Sequence, residues 1–206
     1  MQPRDQNSEF EKLLHELKLN VLGQITGFAA GVAEEIDSLC ERKLFGLGSD
    51  TRSYSRLFSI GPPKSATTRV NQMLLCVGAL SFFWHAIDRL SFRQNDESLR
   101  GAVLDPTVSS LSGTLADMLN KQGMDTTAAE LLAGVQALSL RYAGARTLLG
   151  TSAEDEDSAV WFAARAIAED VDYPKVIVAK LMRVKLTQGL VTLDLANRIK
   201  ALEATL

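Results

Sequence analysis

Proline is scarce in this chain. There are five in 206 residues, and apart from Pro3 they fall at Pro62, Pro63, Pro106 and Pro174. A chain so seldom interrupted can hold long helices, because proline is the residue that most often stops one. Cysteine is scarcer still. Cys40 and Cys76 stand apart within helical patterns, with no Cys-x-x-Cys pair. That argues against a structural zinc site and points to reduced core thiols in a cytoplasmic protein. The histidines are His15 and His85, and the residues three before them are Lys12 and Phe82. The Glu-x-x-His pairs of a di-iron bundle are therefore missing, and so is the Cys-x-x-Cys-His attachment of a c-type haem. No metal and no cofactor is expected. No apolar run reaches about 18 residues, so no spanning helix is expected. The first residues, MQPRDQNSEFEK, lack the basic-then-apolar layout of a secretion signal. A formal net charge of −3 argues against a general nucleic-acid binder.

What is present is helical. The composition is 46% apolar, ordinary for a globular protein, and the chain is long enough to bury a sizeable core. Between the prolines, Ala, Leu, Glu, Lys and Arg dominate, with apolar residues three and four apart. The expectation is an all-α fold: one domain over residues 1–206, about seven to eight helices, two long ones in the N-terminal half. The first helix should run from Ser8 to Phe45, its seam marked by Phe10, Leu14, Leu17, Val21, Ile25, Phe28, Val32, Ile36 and Leu39. Gly46 to Thr67 has no sustained period and reads as a long loop, of the length that is often functional. A short turn around Tyr54 to Phe58 could dock on the body. The second long helix is expected from Ala66 to Arg93, capped by Ser65.

Further helices are expected over 96–104, from Pro106 to Gln122 with Asp105 as cap and a stop at Gly123, and from Thr127 to Gly150 behind a Thr127-x-x-Glu130 capping box. Glu154 to Asp157 should open another, ending near Val171. Residues 174–206 read as a C-terminal helical hairpin, turning at Gly189 with Thr192 capping its last helix. A β-hairpin over 183–195 is the alternative.

Three stretches could carry chemistry. On a helical wheel Ser81, His85, Asp88 and Arg89 share one narrow sector of the second long helix, and apolar side chains fill the rest. This is the profile of a central helix with one polar stripe. His85, Asp88 and Arg89 are close enough to touch, so the stripe could line a ligand pocket. The simpler and favoured reading is an edge that sees water, or a hydrogen-bonded seam holding neighbouring helices in register. Lys64, Ser65 and Arg69 could hold an anion at a helix start. A true phosphate loop is argued against by Pro62 and Pro63, which donate no N–H. Gly23, Gly27 and Gly31 lie along one side of the first helix. The favoured role is close approach of another helix within the fold, ahead of a self-association seam and of membrane contact.

The C-terminal hairpin carries Lys175, Lys180, Arg183, Lys185, Arg198 and Lys200. It loosely resembles a DNA-reading helix-turn-helix, but a solvated basic face explains it more simply. Glu154 to Asp157 lack the ligand spacing of a calcium loop. With no catalytic set in view, the leading expectation is a non-enzymatic helical interaction or scaffold protein, self-association included. A small-ligand binder or enzyme built on the His85 stripe is the second expectation. A regulator touching nucleic acid through the basic hairpin is the third.

Overall fold

The computed structural model describes residues 3–46, 65–93, 97–121, 123, 125–150, 157–171 and 175–206. Among them the regular structure is all α-helix. The helices are α1 (Pro3–Gly46), α2 (Ser65–Arg93), α3 (Glu97–Lys121), α4 (Ala128–Tyr142), α5 (Ala159–Asp170), α6 (Lys175–Leu193) and α7 (Leu195–Glu203). The long Gly46 to Thr67 loop, with its Tyr54 to Phe58 turn, lies largely outside the described residues.

The apolar period of α1 does what its spacing predicts. Phe10, Leu14, Leu17, Val21, Ile25, Phe28 and Val32 are all buried, as one continuous seam. The helix starts earlier than expected, at Pro3, where proline suits a first turn whose N–H groups have no helical partner. α2 is the central element and touches each of the other helices. Its Leu75, Ala79, Phe82, Phe83, Ala86 and Ile87 are almost fully buried. By length and composition alone Asn71–Phe92 is apolar enough to cross a membrane, but 61% of its most apolar window is buried inside the fold, as befits a core helix.

Several expected boundaries are corrected. The helices expected over 96–104 and 106–122 are one helix, so there are fewer separate helices than the sequence punctuation suggests. α3 runs through Pro106, which is exposed. Its ring faces solvent rather than a packed neighbour, and buried Val103, Leu104, Thr107 and Val108 anchor both sides of it.

α4 opens on the expected capping box. The Thr127 hydroxyl accepts from the Glu130 N–H, and the Glu130 carboxylate accepts from the Thr127 N–H at 2.8 Å. It stops at Tyr142, well short of Gly150, because the next residues bond elsewhere. Thr147 and Ser158 form an isolated parallel bridge, with Ala159 N–H donating to the Thr147 carbonyl at 2.8 Å. α5 accordingly begins at Ala159 behind Ser158, not at the acidic run 154–157.

The C-terminal turn is also displaced. α6 passes straight through Gly189 and Thr192 and ends at Leu193. The break is Asp194 alone, held in the left-handed region at φ 47°. Gly189 serves packing instead: a Cβ there would lie 2.7 Å from the Phe83 ring. No β-hairpin forms over 183–195, which is helical apart from Asp194.

Candidate functional site

The polar stripe of α2 is spent almost entirely on neighbouring helices. The Ser81 hydroxyl donates to the Val135 carbonyl of α4 at 2.9 Å, inside the core. Arg89 donates from its two terminal nitrogens to the Ala145 and Arg146 carbonyls, at 2.9 and 3.1 Å, just beyond the end of α4. Asp88 is paired with Arg100 of α3. Three of the four residues thus clamp α2 to its neighbours, which is the arrangement of a hydrogen-bonded seam.

His85 is the exception. It is 7% exposed, and its Nδ1 makes a long contact of 3.4 Å to the Ser139 hydroxyl. Its Nε2 is buried with no hydrogen-bond partner among the described residues. The ring meets Tyr142 edge-on at 5.7 Å between centroids. Burial pulls the imidazole pKa below its ordinary 6.5, the Arg89 charge adds to this, and Asp88 opposes it. His85 is therefore held neutral at pH 7. The Tyr142 hydroxyl lies near Ser81 but lacks a hydrogen bond of normal geometry, and burial pushes it up to about 12. Burial likewise pushes the free Cys76 thiol up to about 12, so it is unreactive.

Beside this seam lies an open apolar groove of about 340 Å³, between α2, α4 and α5. Leu74, Val77, Ala137 and Leu138 line it together with Arg141 and Asp170. Arg141 is already paired with Glu169 and lies 3.9 Å from Asp170. No cluster of three metal-ligating side chains occurs among the described residues.

Of the anion-site residues, Lys64 lies outside the described residues, and so do the side chains of Ser65 and Arg69. The basic C-terminal residues do not converge on one face. Arg183 and Arg165 flank the Trp161 ring at 5.5 and 5.0 Å, tying α6 to α5. Lys185 pairs with Glu35 of α1 at 3.1 Å. Arg198 donates to the Leu193 carbonyl at 2.8 Å, covering the end of α6.

The glycine seam of α1 requires a correction. A Cβ added at Gly23, Gly27 or Gly31 would meet no described atom within 4 Å. Among the described residues no helix approaches that face, and all three glycines are exposed. Close approach occurs elsewhere. At Gly78 a Cβ would lie 2.4 Å from Ile167, so α2 and α5 touch through that glycine.

The main feature missed from the sequence is the outer face of α6. Val176, Val184 and Val191 are 69%, 50% and 69% exposed. Ile177 and Leu181 sit half-buried beside them. Buried Val178, Ala179, Met182, Leu186 and Leu190 cover the inner face, and the outer face mixes these valines with Lys180, Gln188 and Thr192 where a surface helix is ordinarily polar. The wheel drawn for α2, applied to KVIVAKLMRVKLTQGLV, would have revealed it. No protein-family model, curated protein or solved structure matches this chain.

Proposed function

We propose that the protein works without catalysis, as a helical interaction or scaffold protein whose docking surface is the outer face of α6. One observation carries this reading: the solvent side of α6 leaves Val176, Val184 and Val191 exposed, with Ile177 and Leu181 half-buried beside them. Exposed valines gain from being covered, at roughly 25 cal/mol per Å² removed from water. The stripe of α2 lends no comparable support to a ligand site, since Ser81, Asp88 and Arg89 are engaged in holding helices together.

Native mass spectrometry of the untagged protein tests the reading. The expected result is an assembly of two or more polypeptide chains with no small molecule, which separates in the Val184→Glu variant. A monomer that retains a small molecule or a metal ion would overturn it.

A further inference from the structure

We infer that the partner of the α6 face is a second copy of this chain, and that it presents the glycine face of α1. This rests on the interaction reading above and names its partner. Three features fit. The first is shape. Val176, Lys180, Val184 and Gln188 form a row at intervals of four along the exposed side of α6. Gly23, Gly27 and Gly31 form a row at the same interval along the exposed side of α1, and it is a groove rather than a ridge. Rows of this spacing interdigitate when two helices cross at about 50°. Glycine lets the backbones come unusually close.

The second feature is the presence of the glycines themselves. Glycine inside a helix is unfavourable relative to alanine. Within one chain nothing described touches this face, so nothing there offsets the penalty three times over. Gly78 and Gly189 differ, because Ile167 and Phe83 occupy the space their missing side chains leave. A partner helix lying in the groove would give Gly23, Gly27 and Gly31 the same purpose. Between Val21 and Ala33 this helix carries no charge, so such a partner would desolvate none there.

The third feature is charge. α6 has no acidic residue, and its Lys175 and Lys180 are exposed, while Arg183 and Lys185 are engaged within the chain. α1 has more acid than base, with Glu9, Glu11, Glu16 and Glu34 on its solvent side against Lys12 and Lys18. A second α6 laid on α1 brings unlike charges together, whereas α6 on α6 or α1 on α1 does not. The two faces also adjoin. Gly31 lies one turn from Glu35, Leu181 lies one turn from Lys185, and Glu35 and Lys185 are ion-paired. A two-fold axis can therefore set α6 on the partner's α1 and α1 on the partner's α6 at once, closing the assembly as a dimer.

Sedimentation velocity on the purified full chain tests this, with Val184→Glu and Gly27→Leu as separate variants. Both sites are exposed, and leucine is the better helix former, so Gly27→Leu should melt no lower than the parent when monomeric. The expected result is a dimer that each variant weakens by about tenfold or more, and that added salt weakens as well. Three results would overturn the inference. A chain that stays monomeric at every concentration removes self-association; native mass spectrometry then decides separately whether another polypeptide docks on α6. A dimer indifferent to both variants uses another surface, and a dimer weakened by only one of them pairs a face with itself.

Discussion

Among single residues, His85 has the most distinctive physical position. Its pKa in the folded protein lies below the 6.5 of the unfolded chain. Between those two values the unfolded chain binds more protons, so stability climbs with pH across that window. His85 opposes folding only when it must be protonated. Its contribution is fully present above about pH 6.5 and is lost as the pH falls through the folded value. The melting temperature of the wild type should drop between pH 7.5 and pH 5 by more than that of His85→Gln. Parallel pH profiles for the two proteins would sink the argument.

Gly78 makes the second residue-scale prediction. Gly78→Ala drives a Cβ to within 2.4 Å of the buried Ile167, and the side chain has no space to retreat into. The overpacking should cost about 1–3 kcal/mol in urea denaturation. A stability unchanged from wild type would mean that α2 and α5 can separate freely. At this scale the sequence was only half legible. The wheel placed Ser81, His85, Asp88 and Arg89 together, but it could not name Ser139, Tyr142 or the Ala145 carbonyl. Those partners lie more than 50 residues away, and only the tertiary packing brings them close.

At the scale of elements, the long periodic helices were readable and their ends were less so. The three-and-four spacing from Phe10 to Val32 needs nothing but a core to bury against, so α1 and α2 follow from pattern. The end of α4 does not, because Arg89 engages the Ala145 and Arg146 carbonyls and Thr147 bridges to Ser158. Asp194 was similarly hidden: glycine marked a turn at 189, yet the left-handed residue is an aspartate. α3 shows the same override. Pro106 removes one helical hydrogen bond and crowds the preceding turn, but the buried residues on both sides keep the helix whole. Because Pro106 is exposed, Pro106→Ala should restore that bond without loss of packing. The expected gain is about 1–3 kcal/mol, less what proline contributes by restricting the unfolded chain. Chemical denaturation reads it directly, and a destabilised variant would show that the proline holds a bend the core requires.

For the whole molecule, the position of α2 decides how the fold comes apart. Every other helix rests on it, and one continuous core joins α1 to α7. Unfolding should therefore be a single transition. Trp84 on α2 and Trp161 on α5 are the two tryptophans, so the variants Trp161→Phe and Trp84→Phe each isolate one reporter. Each variant's fluorescence midpoint in urea should coincide with its own circular-dichroism midpoint. Separated midpoints would reveal a C-terminal unit that melts independently.

The same centrality bears on the order in which the chain is made. α1 is complete at Gly46, but the helix that covers its apolar seam ends at Arg93. At about 5–20 residues per second, a ribosome needs roughly two to nine seconds to travel between those points. During that interval Val21, Ile25 and their neighbours face water on a nascent chain, with nothing yet synthesised to shelter them. That is the window in which a chaperone at the exit tunnel would find its substrate.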